Sequence, residues 1–146
     1  MISLRQYKEQ HKDAVDALYQ QADMGEPSSY EGILLAFDSD AEDPEKPIGL
    51  VRVAVSDGVA YVNPIVVDEE ARGLGIGRVL MEHVQELHPD VRLVSRGPAI
   101  PFYRALGFDE CDWESVDTRF TDDCDSCDVR ESCQPLPMRW TGATEA

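Results

Sequence analysis

Residues 59–87 hold the feature that most limits how this chain can fold, because an apolar segment, a glycine-rich stretch and a helical pattern follow one another directly. The segment VAYVNPIVV (59–67) has the β-branched, aromatic composition of a buried strand. The stretch EEARGLGIGR (69–78) comes next, and a helical pattern follows it. The apolar positions of that pattern are Ile76, Val79, Leu80, Val84 and Leu87. A glycine turn that opens a helix exposes unpaired N–H groups at the positive end of the helix dipole, which favours an anion such as phosphate.

Two common phosphate-binding motifs do not match this stretch. A P-loop ends in Gly-Lys-Ser or Gly-Lys-Thr, and no such triplet occurs here. The dinucleotide fingerprint GxGxxG requires glycine at the position of Arg78. On the glycines alone, a phosphate loop and a turn without any ligand therefore both remain open.

The rest of the chain alternates strand and helix signals, which predicts an α/β domain with a mixed sheet. Helices are expected at 8–22, from Ile76 to the sequence HPD, and within GPAIPFYRALG (97–107), with Pro98 at the start and Gly107 as the stop. Asp57-Gly58 predicts a hairpin turn, and Pro64 indicates an edge or a bulge. The predicted strands are 2–7, 32–38, 48–55, 59–67, 91–95, 108–116 and 136–140.

The net charge of −16 arises from 29 acidic against 13 basic residues. Such a charge repels nucleic acid and anionic lipid, so neither partner is expected. It could attract a cationic substrate, although a solubility role for the acidic surface is favoured. There is no apolar run of membrane-spanning length and no secretory signal, so we expect a cytoplasmic protein without membrane contact. The sequence leaves open whether the chain forms a homodimer.

Two motifs in register resemble those of the GNAT N-acetyltransferase superfamily. RGLGIG (72–77) matches its [Q/R]xxGxG signature, and FYRALGF (102–108), 25 residues after Gly77, is similar to its second hallmark. The resemblance implies a GNAT fold over residues 1–146 as a single domain. That fold has a mixed central sheet of about seven strands, flanking helices and a V-shaped opening between the fourth and fifth strands.

The resemblance also implies acetyl-CoA as the co-substrate. The diphosphate would lie on the backbone N–H groups of the glycine stretch, and pantetheine would run beside the end of the fourth strand. The cofactor-binding residues implied in this way are Ile65, Val66, Val67, Arg72, Gly73, Leu74, Gly75, Ile76, Gly77 and Arg78.

Tyr103 matches the family's thiol-facing tyrosine and is the expected general acid; the alternative is a packing tyrosine on a short helix. No residue stands out as the general base. The strand at 59–67 carries only Tyr61 and Asn63 as polar side chains, and the strand at 91–95 carries Arg92 and Ser95. Glu31 or a loop acid could serve as the base. Where the family often has asparagine, this chain has Arg96.

The end of the chain departs from the family in an acidic segment near 117–135, which is expected to be a cysteine-bearing insertion. Its cysteines have the spacing CxxC-x5-C, and a fourth cysteine lies upstream. Clustered thiols in a reducing compartment suggest zinc, whereas a redox disulfide and an inert loop remain alternatives. The expected metal ligands are Cys111, Cys124, Cys127 and Cys133, while His11, His83 and His88 are expected on helix surfaces.

Two functions follow from these motifs. The first is an N-acetyltransferase that moves acetyl directly from acetyl-CoA to a primary amine of a small molecule or peptide, in a ternary complex. The alternative is a non-catalytic GNAT-fold module that senses acetyl-CoA or metal. The acceptor amine cannot be read from the sequence.

Overall fold

The computed structural model describes residues 1–22, 24, 27, 29–95, 97–116 and 135–142. Its strands are β1 (Ile2–Gln6), β2 (Ile33–Asp38), β3 (Gly49–Ser56), β4 (Val59–Val67), β5 (Asp90–Ser95), β6 (Asp109–Glu110) and β7 (Leu136–Thr141). Its α-helices are α1 (Lys12–Gln21), α2 (Ile76–Leu87) and α3 (Ile100–Ala105). Short 3₁₀ helices occupy Glu9–His11, Glu69–Ala71, Gly97–Ala99 and Trp113–Ser115.

The seven strands form a mixed sheet, as predicted, and their order in the sheet is β1-β2-β3-β4-β5-β7-β6. The β1–β2, β2–β3, β5–β7 and β6–β7 pairs are antiparallel, and β4 pairs with β5 in parallel. The β4–β5 register is Ala60 with Val91 and Tyr61 with Arg92. Both strands continue beyond these pairs, which is consistent with the predicted V-shaped opening.

Two compact units can be distinguished, and the first comprises Met1–Ala54 and Pro64–His83. Its core forms where one face of α1 packs on β2, β3 and the end of β4. Gly32 is required at the start of β2, because its φ is +77° and an added Cβ would lie 2.1 Å from the carbonyl oxygen of Val53. The buried core residues are Val15, Leu18, Tyr19, Ile33, Leu35, Phe37, Leu50 and Val66.

The second unit comprises Val55–Asn63 and Val84–Ala146. Its sheet is stabilised by Asp90, whose carboxylate accepts paired hydrogen bonds from Arg92 and from Arg139. Although burial opposes ionisation, these two guanidinium groups lower the pKa of Asp90 below its usual value. The predicted hairpin is also present, since Asp57 and Gly58 have φ angles of +52° and +79°.

The predicted strand 108–116 is wrong, because only Asp109–Glu110 pair with β7. The next position on β7 is Pro137, which accepts a hydrogen bond from the Cys111 N–H but has no N–H to donate. The chain then turns, and Ser115 N–H donates to the Asp112 carbonyl at 2.9 Å.

Two predicted helices also differ from the structure. The 8–22 helix begins as the 3₁₀ helix Glu9–His11 before α1, and the helix after β5 starts as Gly97–Ala99 with Pro101 in the first turn of α3. His11 is buried rather than on the surface. Its Nδ1 accepts from the Lys8 N–H at 3.0 Å, and its ring packs on Phe37.

None of the helices in the described part of the chain combines the length and the apolar content needed to span a lipid bilayer.

Candidate active site

The glycine loop, residues 72–78, joins the 3₁₀ turn Glu69–Ala71 to α2 in the first unit. Gly73 and Gly75 have φ angles of +89° and +75°, which L-residues adopt at a cost. An added Cβ at either glycine would meet no atom within 4 Å. The loop therefore has a backbone that only glycine adopts freely and open space beside it.

Several N–H groups of the glycine loop have no acceptor among the residues that the structure describes. Within the residues that the structure describes, the N–H groups of Arg72, Leu74 and Val79 donate to carbonyls, and Val79 bonds to Gly75 to close the first turn of α2. Those of Gly73 and Gly75 and the first three of α2 have no recorded partner there. Five donors at one helix N-terminus can bind an anion.

The side chains of the glycine loop divide into exposed and buried groups. Arg72 forms no ion pair with any residue of the described chain, whereas Arg78 faces Glu82 at 3.6 Å. Leu74 is 59% exposed, and Ile76 is buried, so Ile76 can offer only its backbone to a ligand. Arg72 is thus the guanidinium most available to an anion at this loop.

The position of α2 is set by a close approach to β3. An added Cβ at Gly49 would lie 2.9 Å from Cγ2 of Ile76 and 3.2 Å from the carbonyl oxygen of Val66. Any larger residue there would push α2 away from the sheet. Gly49 consequently fixes the start of α2, and with it one end of the glycine loop.

The predicted pantetheine-contacting residues lie at the end of β4, as the sequence indicated. Val66 is buried in the core against α1, whereas Ile65 and Val67 are half-buried. A ligand beside this segment would meet its main chain and the side chains of Ile65 and Val67, because Val66 points into the core.

Tyr103, in the second unit, lies in α3 and is 6% exposed. Its carbonyl accepts from the Phe108 N–H at 3.1 Å, and the Gly107 N–H donates to Arg104 at 3.0 Å. With Gly107 at φ +93°, these bonds form a Schellman motif, as the glycine predicted. The Tyr103 ring packs edge-on against Phe108, with centroids 5.7 Å apart. The motif and the ring contact hold Tyr103 in one orientation.

The polar side chains on β4 and β5, and Glu31, occupy different settings. Tyr61 and Ser95 are buried, and Arg92 is paired with Asp90. Glu31 is exposed in the turn before β2. Arg96 lies outside the described residues.

The predicted metal site falls mostly outside the described residues, since Cys124, Cys127 and Cys133 lie there. Cys111 is half-buried, and burial raises the pKa of its thiol. The described ranges contain no group of three or more His, Cys, Asp or Glu residues arranged to hold a metal ion. The zinc site stays a prediction.

Residues 32–110 match the acetyltransferase (GNAT) domain family, and these 79 positions are more than half of the 146 residues. The chain belongs to the GNAT family. No curated protein matches the chain significantly.

Several solved structures have the same fold. Rv2747 from Mycobacterium tuberculosis, in complex with CoA, has a TM-score of 0.75 at 14% identity, over 95% of this chain and 98% of its own. The Escherichia coli ribosomal-protein-S18-alanine N-acetyltransferase has a TM-score of 0.63 at 23% identity, over 77% of this chain and 80% of its own. A third structure is N-acetylglutamate synthase from Neisseria gonorrhoeae, complexed with coenzyme A and N-acetyl-glutamate. It has a TM-score of 0.77 at 12% identity, over 97% of this chain but 35% of its own. The GNAT fold expected from the sequence is confirmed.

One residue next to the GNAT signature motif was missed from the sequence. Asp68 is 5% exposed, and its Oδ1 accepts from the Glu70 N–H at 2.9 Å. An aspartate two residues before a backbone donor is a recognised turn signal, so the DEE triplet could have identified the cap. Its burial depends on tertiary packing and could not have been read from the sequence.

Proposed function

We propose that this GNAT protein transfers an acetyl group from acetyl-CoA directly to a primary amine of a small molecule or peptide. The observation that carries the proposal is the glycine loop at the start of α2, with its open glycine positions and N–H groups that no described residue accepts from. In this proposal residues 1–146 act as one acetyltransferase domain, with the cysteine-bearing segment near 117–135 inserted between β6 and β7.

The glycine loop would bind the diphosphate of CoA. Hydrogen bonds from N–H groups to charged phosphate oxygens are stronger than those between neutral groups, and the α2 dipole adds to them. Gly73 and Gly75 leave room for the phosphates to reach the backbone. Arg72 would add a positive charge, whereas Arg78 is already engaged with Glu82.

The pantetheine arm would lie along Ile65, Val66 and Val67. Because Val66 is part of the core, the arm would pair with the main chain there, as an added strand does. A main-chain N–H near Asn63-Pro64 would polarise the thioester carbonyl and stabilise the oxyanion that forms during attack.

Tyr103 would complete the reaction as the general acid. The amine nitrogen attacks the thioester carbon, and the C–S bond breaks as the tetrahedral intermediate collapses. The departing sulfur takes the phenolic proton of Tyr103. The ammonium form of the acceptor loses one proton to water before attack, the nitrogen loses a second after it, and one of these protons restores Tyr103. Packing of the Tyr103 ring against Phe108 limits the positions that its hydroxyl can take, which supports this role because proton transfer requires a hydroxyl within hydrogen-bond distance.

The acceptor is expected to be a primary amine that carries a positive charge in solution. A net charge of −16 would raise the local concentration of such a cation. Among proteins of similar fold, one is named as an N-acetyltransferase of an alanine of a ribosomal protein and another for the synthesis of N-acetylglutamate. A peptide and a small molecule are both compatible with this range.

The test is a thiol-release assay with acetyl-CoA against a panel of small amines and peptides, at low and high salt. We expect release of CoA that depends on the amine, with the acetylated amine detected by mass spectrometry. Gly75→Glu should abolish both CoA binding and turnover, because a carboxylate would repel the diphosphate. CoA binding without turnover on any amine would instead support the non-catalytic sensor.

A further inference from the structure

Asp68 is a buried carboxylate to which the proposed reaction assigns no part. In the described part of the chain Asp68 is the only buried residue that carries a carboxylate. Burying a carboxylate is unfavourable unless hydrogen bonds or an opposite charge compensate. Asp68 occupies the first position after β4, four residues before the glycine loop.

The contacts of Asp68 tie the end of β4 to the turn that follows. Its Oδ1 accepts from the Glu70 N–H at 2.9 Å, and its own N–H donates to the Ile48 carbonyl at 2.9 Å. Its Oδ2 faces Nζ of Lys46 at 3.9 Å. The side chain thus caps the 3₁₀ turn Glu69–Ala71, while the backbone is held against the segment before β3.

A second side chain caps the same turn. Oε1 of Gln21, the last residue of α1, accepts from the Glu69 N–H at 3.2 Å. Two successive N–H groups of the turn, those of Glu69 and Glu70, are therefore bound by side chains from different parts of the first unit.

The capped turn is continuous with the glycine loop. Ala71 N–H donates to the Asp68 carbonyl at 2.9 Å, Arg72 N–H to Glu69 at 3.4 Å, and Leu74 N–H to Ala71 at 3.4 Å. These bonds link Asp68 to Ala71, and Ala71 to Leu74, the residue before Gly75. The orientation of the turn therefore sets the direction in which the loop leaves β4.

We propose that Asp68, assisted by Gln21, is a positioning residue that holds the glycine loop in its CoA-binding conformation. The inference rests on the proposed function, since it assigns the loop to the CoA diphosphate. Without the cap the loop would populate other conformations, and only a fraction of the protein would be able to bind CoA. The apparent Kd for CoA would then equal the intrinsic Kd divided by that fraction.

The experiment measures the Kd of CoA by isothermal titration calorimetry, together with the melting temperature of each free protein. Asp68→Ala removes the acceptor and should weaken CoA binding about 3- to 30-fold, the range expected for a lost cap. Asp68→Asn keeps an oxygen at the Oδ1 position and should stay within about 3-fold of wild type. Gln21→Ala is an exposed change that should fold normally and weaken binding about 2- to 5-fold.

Asp38→Ala is the matched control. Oδ1 of Asp38 also accepts from an N–H two residues on, that of Asp40 at 2.9 Å, but at the end of β2. This variant should lose stability and keep the wild-type Kd. A weaker CoA affinity in Asp68→Ala but not in Asp38→Ala would distinguish a positioning role from a general loss of stability.

The outcomes separate this inference from the proposed function. Wild-type protein that does not bind CoA overturns both. Wild-type binding together with unchanged affinity in Asp68→Ala and Gln21→Ala overturns the positioning role alone. Asp68→Asn as weak as Asp68→Ala, or a Kd in Asp38→Ala that rises as much, would also refute it.

Discussion

The glycine loop allows a prediction in which backbone strain and ligand binding are separated by two matched substitutions. Gly75 and Gly58 have φ angles of +75° and +79°, and an added Cβ would meet no atom within 4 Å at either site. Gly75 lies in the glycine loop, whereas Gly58 lies in the β3–β4 hairpin turn. Alanine at either site therefore introduces the same strain, but only Gly75→Ala changes the proposed phosphate site.

The two variants should lose about the same stability. An L-residue in the left-handed region costs about 1–2 kcal/mol, and neither site adds a steric clash. For a chain of this length the loss corresponds to a fall in melting temperature of about 2–8 °C. Differential scanning calorimetry without ligand measures this part of the prediction.

Their CoA affinities should differ. The methyl group of Gly75→Ala would stand between the phosphate and the N–H groups of the loop, so that at least one charge-assisted hydrogen bond is lost. Such a bond contributes about 1.5–3 kcal/mol, which corresponds to a Kd about 10- to 150-fold weaker. Gly58→Ala should bind CoA like wild type in the same titration.

Equal CoA affinity in Gly75→Ala and Gly58→Ala would refute the assignment of the diphosphate to residues 72–78. A much greater loss of stability in Gly75→Ala than in Gly58→Ala would refute the open geometry of the loop instead. Because stability and binding are measured separately, either failure can be recognised.

Three further predictions concern other parts of the chain. Tyr103→Phe should lower kcat about 10- to 1000-fold and leave CoA affinity nearly unchanged, as expected for a lost general acid; wild-type kcat would leave Tyr103 with a packing role only. The Tyr30 hydroxyl donates to Asp16 and is the main reason why the pKa of that carboxyl lies below its usual value of 3.8, so Tyr30→Phe should lower the free energy of unfolding at pH 7. Since the charged carboxylate is the stabilised form, denaturant unfolding should show this difference shrinking as the pH falls below 3.8, and a constant difference would contradict it. Elemental analysis of protein purified without added metal should find about one zinc per chain, whereas four freely titrating thiols would contradict ligation by Cys111, Cys124, Cys127 and Cys133.

Local patterns explain the parts of the fold that were predicted. The hairpin at Asp57-Gly58 and the stop at Gly107 each depend on a positive φ within a few residues, which glycine permits at any site. The helix α2 follows from apolar residues at a constant spacing. Such features can be read from neighbouring residues, because the interactions that produce them lie within a turn or two of the chain.

Features that depend on distant residues were predicted wrongly. The strand expected at 108–116 ends after Glu110, because the opposing residue on β7, Pro137, has no N–H to donate. His11 was expected on a surface, yet its ring packs on Phe37 of β2. In each case the deciding partner lies 26 residues away along the chain.

The candidate site shows the same division. The sequence by itself determined the glycine loop and its place between a strand and a helix, since both depend on glycine spacing and local periodicity. Only the tertiary structure decided that Asp68 is buried as the cap of the preceding turn, and that Gln21 of α1 supports the same turn. Burial and side-chain capping depend on which distant segments the core brings together, and no local pattern specifies them.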